Sequence, residues 1–119
     1  MFIPVLQAAL GGAIGAALRF LLSGVVVFPL GTLLVNVIGS FLMGLAFVLL
    51  AERGLARWVP FVMAGLLGGF TTFSAFSLDV LKLFEAGRIG AAGGYVAASV
   101  VLSILALVLG VALMRQWAG

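Results

Sequence analysis

Four long apolar runs, separated by stretches too short for anything but turns, limit what this chain can become more than any other feature. Divided at charges, glycines and prolines, the runs fall near 2–22, 31–51, 58–84 and 90–114. Each matches or exceeds the roughly 20 apolar residues that cross a bilayer as a helix. Only 8% of the 119 residues are charged and 66% are hydrophobic, whereas soluble domains carry about 25% charge. The polar surface that a water-soluble fold needs is missing. The expectation is an all-α membrane protein, a single transmembrane domain over residues 1–119 with four spanning helices and no space for a soluble catalytic domain.

The absence of Cys and His removes thiol chemistry, disulfides, the commonest transition-metal ligands and the usual proton carrier near neutral pH. With only three acidic residues, hydrolase chemistry is a poor fit, and the chain is read as a non-enzyme. The formal charge of +3 is spread over Arg19, Arg53, Arg57, Lys82, Arg88 and Arg115, so no basic patch is available for nucleic acid. The first run lacks a basic start and outlasts the apolar region of a signal peptide. It is read as a true span.

The connector 23–30 is apolar but holds Gly24 and Pro29; 52–57 and 85–88 are charged turns with Gly54 and Gly87. Four spans put both termini and the 52–57 turn on one side of the bilayer and the other two connectors opposite. Arg53, Arg57 and Arg115 then face one compartment, and Arg19, Lys82 and Arg88 lie toward the other. Orientation follows the Lys and Arg bias of short loops, and here the bias is nil. The expectation is dual topology, which permits an antiparallel homodimer. The competing reading is one fixed orientation set by Arg53 and Arg57, with Arg19 and Lys82 too deep to count.

Gly65, Gly68 and Gly69 precede Thr71, Thr72 and Ser74 near the middle of the third run. One reading is a helix broken at mid-membrane, where irregular backbone must be buried in protein or line a wet cavity. The other is an intact helix with a glycine packing face, its hydroxyls bonded to their own carbonyls. The break is adopted, because broken helices offer carbonyls to cations and N–H groups to anions.

Thr32, Asn36, Ser40 and Gly44 recur every four residues, as do Tyr95, Ser99 and Ser103, so each set forms one helical stripe. These stripes serve either as helix–helix glue or as a polar track. Phe73 and Phe76 follow the break at a spacing of three and either pack in the core or turn their positive ring edges toward an anion. Gly11 and Gly15, with Gly12 and Ala16 beside them, read as close helix packing. Arg19 either reaches the interface along its aliphatic stem or supplies a field at a pore mouth. Asp79 and Lys82, three apart, suit a local ion pair.

Three ordered motifs carry a resemblance: Gly11-Gly12-x-x-Gly15-Ala16-x-x-Arg19, Gly31-Thr32-Leu33-x-Val35-Asn36-x-x-Gly39, and Gly68-Gly69-Phe70-Thr71-Thr72-Phe73-Ser74-Ala75-Phe76. In these motifs, and over essentially its whole length, the chain resembles the CrcB/Fluc fluoride channels. The resemblance implies a dual-topology antiparallel homodimer with two pores. Such a dimer passes fluoride down its gradient across the cytoplasmic (inner) membrane of a prokaryote and so relieves fluoride toxicity. It also implies a fluoride path at Asn36, Thr72, Phe73, Ser74, Phe76, Tyr95, Ser99 and Ser103, with Arg19 a vestibule candidate. A structural, untransported sodium ion would be held at the dimer interface by the backbone carbonyls of Gly68 and Thr71 of each copy. Ala75 departs from the pattern, in which Thr is frequent, and removes one polar contact.

Two other classes fit a four-span chain of this length. A dual-topology drug/proton antiporter resembling the small multidrug resistance family needs an embedded carboxylate. Asp79 lies late in the third run, and the first run has only Gln7 and Arg19 as strongly polar groups. A structural or assembly subunit would explain the glycines but leave the two donor stripes without a use.

Overall fold

The computed structural model describes residues 1–118. Helix α1 (Phe2–Gly24) is followed, through a cis Phe28–Pro29 peptide, by α2 (Leu30–Glu52). The third span, Ala56–Glu85, is composite. It begins with a 3-10 turn (Ala56–Trp58) and a π-helical stretch (Pro60–Leu67), then continues through the single turn α3 (Gly68–Phe70) into α4 (Phe73–Glu85). Helix α5 (Ile89–Ala118) comes last. All regular structure among the described residues is helical, and four segments are long and apolar enough to cross a membrane. Their ends lie within a few residues of the apolar runs. Ser23 and Gly24, expected in a turn, instead continue α1.

The two charged turns depend on Gly54 (φ +66°) and Gly87 (φ +78°), where a Cβ would be strained. Elsewhere glycine works by absence of bulk. A Cβ on Gly11 or Gly15 of α1 would collide with the Phe61 or Leu66 carbonyl of the third span, and one on Gly69 would meet the Gly12 carbonyl at 2.7 Å. Backbone thus lies on backbone, the close approach that small residues allow between membrane helices. The α2–α5 pair is built the same way: Cβ atoms on Gly44 and Gly110 would strike the Leu107 and Phe41 carbonyls.

Two apolar clusters fill the spaces between these seams. Phe76, Leu83, Ala92 and Tyr95 pack together with Leu33 and Val80 beside them; Ala46, Leu50 and Leu67 pack with Met43, Leu55, Val62 and Met63. Ile14, Leu18 and Phe20 of α1, and Ile104, Leu105 and Val108 of α5, remain exposed. In water such surfaces would drive association. In hydrocarbon they are matched to their solvent.

Between α3 and α4 the helical path is interrupted. Thr71 (φ −87°, ψ 161°) and Thr72 (φ −154°, ψ 126°) are both extended. An extended pair cannot satisfy its own N–H and C=O groups, and each group left unsatisfied in a bilayer costs several kcal/mol. Neighbouring side chains must supply the partners.

Candidate functional site

Asn36 of α2 supplies two of those partners. Its Nδ2 donates to the Thr72 carbonyl at 2.9 Å, and its Oδ1 accepts from the Thr72 N–H at 2.8 Å. An amide has two donor hydrogens and a carbonyl with two lone pairs, so this clamp leaves Asn36 with one N–H uncommitted. The Thr72 hydroxyl accepts the Ala75 N–H at 3.1 Å and lies 3.3 Å from the Ser74 hydroxyl. Thr72 is therefore the N-cap of α4, satisfying one of the helix's orphan donors. Thr71 folds back instead, its N–H and Oγ1 both donating to the Leu67 carbonyl at 3.1 Å. Arg19 crosses from α1 to donate through Nε to the Gly69 carbonyl at 3.1 Å.

The middle of the α2 stripe and the end of the α5 stripe meet beside this interruption. Asn36 and Ser40 from α2, Ser99 and Ser103 from α5, and Thr71, Thr72, Phe73 and Phe76 from the third span line an open cleft of about 380 Å³. Gly39, Met43, Val100, Ile104 and Leu107 complete its wall, and no charged side chain lines it among the described residues. Ser99 is 6% exposed and its Oγ has no hydrogen-bond partner. A buried hydroxyl left in that state costs about 1–3 kcal/mol, so the cleft carries an unmet polar demand. Phe76 is 7% exposed and Phe73 76%, their ring centroids 5.3 Å apart at 57°.

The remaining candidates lie around the cleft. Tyr95 is buried behind Phe76, ring centroids 5.3 Å apart, and donates its hydroxyl to Asp79 Oδ2 at 3.0 Å. Asp79 was expected to pair with Lys82, but it turns inward to Tyr95, and the Lys82 ammonium lies over the Phe28 ring, 5.8 Å from its centroid. The helix packs the shorter acid inward and leaves the longer base free to reach out, which spacing of three could not reveal. Ser74 is exposed beside Thr72. Gly68 and Arg19 sit at the interruption but do not line the cleft.

The interruption has a second chemical property. In a continuous helix the Thr72 N–H would serve the Gly68 carbonyl and the Ala75 N–H the Thr71 carbonyl. Both donors are spent elsewhere, on Asn36 Oδ1 and Thr72 Oγ1, which releases the Gly68 and Thr71 oxygens. Among the described residues no cluster of His, Cys, Asp or Glu could hold a metal. Released carbonyl oxygens, hard and neutral, are donors suited to a hard cation.

Known proteins place this arrangement in a lineage. The profile of the family described as CrcB-like protein, Camphor Resistance (CrcB), matches residues 6–111. The chain belongs to the CrcB-like family. Proteins named "Fluoride-specific ion channel FluC" are close in sequence to this CrcB-like chain. That of Cereibacter sphaeroides (strain ATCC 17029 / ATH 2.4.9) is 52% identical over 124 residues, covering 98% of each chain. That of Ruegeria sp. (strain TM1040) is 52% identical over 122 residues, 97% of each. That of Paracoccus denitrificans (strain Pd 1222) is 52% identical over 115 residues, 92% of this CrcB-like chain and 93% of its own.

Proposed function

We propose that this protein is a fluoride-selective passive ion channel that exports fluoride across the cytoplasmic membrane and lowers intracellular fluoride toxicity. The observation that carries the reading is the donor set of the cleft: the spare Asn36 N–H, the unpartnered Ser99 hydroxyl, and the Ser103 and Thr72 hydroxyls. The Phe73 and Phe76 rings stand beside them. Neutral donors and positive ring edges replace an anion's water without holding it as a buried Lys would, and conduction requires adequate rather than tight binding. The shared ancestry with proteins named as fluoride channels supports the same assignment.

The working unit is an antiparallel homodimer of dual-topology chains in the lipid bilayer. Support comes from the even division of Lys and Arg between the two sides and from the open cleft with its exposed Phe73, a pore wall that a second copy would complete. The helix of the third span is broken at mid-membrane in this reading. Where the two breaks meet, the Gly68 and Thr71 carbonyls of each copy hold a structural sodium ion. When bound, that ion supplies a fixed positive charge that ties the two breaks together. Fluoride passes from a vestibule near Arg19 along Tyr95, Ser99, Ser103 and Asn36 and across the phenylalanine edges.

Efflux from liposomes containing the purified protein, followed with a fluoride electrode, tests this. Fluoride-loaded vesicles empty and chloride-loaded vesicles do not. Asn36→Asp lowers the fluoride rate at least tenfold, since a lost hydrogen bond to an ion, about 1.5–3 kcal/mol, corresponds to roughly ten- to a hundredfold, and Phe76→Ile lowers it too by removing a positive ring edge. Folded dimers that pass no fluoride overturn the reading, and proton-coupled uptake of a cationic dye becomes the next assay.

A further inference from the structure

Three carbonyls between Leu67 and Thr72 are claimed by donors of the protein itself: Leu67 by Thr71, Gly69 by Arg19 and Thr72 by Asn36. Gly68 and Thr71 lose their helical donors to Asn36 Oδ1 and the Thr72 hydroxyl. The contrast between the neighbours Gly68 and Gly69 is informative. Gly69 lies directly after Gly68, and its own helical donor would be the N–H of Phe73, the first residue of α4 beyond the extended pair. Without Arg19 the Gly69 oxygen would join the released carbonyls, and the backbone would rotate more freely about the Gly69 Cα that joins the Gly68 and Gly69 peptide planes. Arg19 is half-buried, and its own backbone is pinned by Ser23, whose hydroxyl donates to the Arg19 carbonyl at 2.7 Å.

We propose that Arg19 is a positioning residue for the central cation: by holding the Gly69 carbonyl through Nε, it fixes the peptide plane next to the one that presents the Gly68 oxygen and so limits rotation about the Gly69 Cα that joins them. The inference rests on the cation site proposed above and assigns Arg19 a role separate from any field at the pore mouth. Partners one step removed from a bound ion orient its ligands, and their loss typically costs ten- to a hundredfold in affinity. The cap also explains the choice of Arg over Lys, because the bonding atom is Nε within the stem rather than the terminal charge.

Side-chain length separates cap from charge. Gln places Nε2 the same number of bonds from the backbone as Arg Nε, so Arg19→Gln keeps the donor and drops the charge. Arg19→Lys keeps the charge with a methylene where the donor was. Arg19→Met keeps the length and loses both. The readout is the rise in melting temperature of the purified dimer as sodium is titrated into sodium-free N-methylglucamine buffer, because a ligand bound only by the native state stabilises it in proportion to ln(1 + [L]/Kd). Expected is a wild-type sodium response, retained within about twofold in midpoint by Arg19→Gln and shifted tenfold or more to higher sodium in both Arg19→Lys and Arg19→Met. A wild type with no sodium response overturns the cation site and the inference with it. A wild type that responds while Arg19→Lys matches it and Arg19→Gln does not overturns the inference alone, leaving a charge effect. Failure of Arg19→Lys and Arg19→Met to form dimers also overturns it, because Arg19 would then serve the fold as a whole.

Discussion

Asn36 and Thr72 show how much of the site rests on single side chains. An amide in hydrocarbon is costly unless paired, and that cost alone marks Asn36 in the sequence as a residue with a purpose. Its partner was not legible, because Thr72 lies 36 positions away and no local spacing links them. The Asp79–Tyr95 bond was hidden for the same reason, and the nearer Lys82 offered a false partner. Thr72 has a further duty as N-cap, which Ser can perform and Val cannot. Thr72→Val should destabilise the protein by about 0.5–2 kcal/mol while Thr72→Ser stays close to wild type, measured as thermal unfolding in one detergent.

At the level of elements, four spans follow directly from the apolar runs, because a helix is one of the few ways to satisfy backbone in lipid. The packing face of α1 is also legible, since Gly11 and Gly15 fall four apart on one stripe. The π-helical stretch Pro60–Leu67 is not, as nothing in its composition distinguishes it from α-helix. Nor does sequence say which glycines are crowded. Gly44 faces the backbone of Leu107 and Val111, whereas Gly24 has open space around its Cβ position. Gly44→Ala should therefore cost about 1–3 kcal/mol through overpacking, and Gly24→Ala should be neutral or stabilise by up to about 1 kcal/mol. Parallel melts of the two variants check the contrast, and equal effects would contradict the α2–α5 seam described above.

On the scale of the whole molecule, the balance of positive charge is a property that no single residue carries. Glu52→Lys with Ala56→Lys loads one side, and Glu85→Lys with Ala86→Arg loads the other, all at exposed positions at the span ends. Each biased form expressed alone should adopt one orientation and lose fluoride efflux. Co-expression of the two should restore it, with orientation read by accessibility of tags at the termini. Efflux from either biased form alone would argue against an antiparallel pair.

The extended Thr71–Thr72 pair also bears on how the chain enters the membrane. Protein synthesis delivers N-terminal segments first, and the side chains from other helices that satisfy this region, Arg19 and Asn36, belong to α1 and α2. By the time the third span leaves the ribosome, the guanidinium and the amide that will receive its awkward peptide groups are already in place. The order of the helices along the gene thus gives the Gly69 and Thr72 peptide groups their partners as soon as the third span inserts, and leaves only later assembly to serve the released Gly68 and Thr71 oxygens.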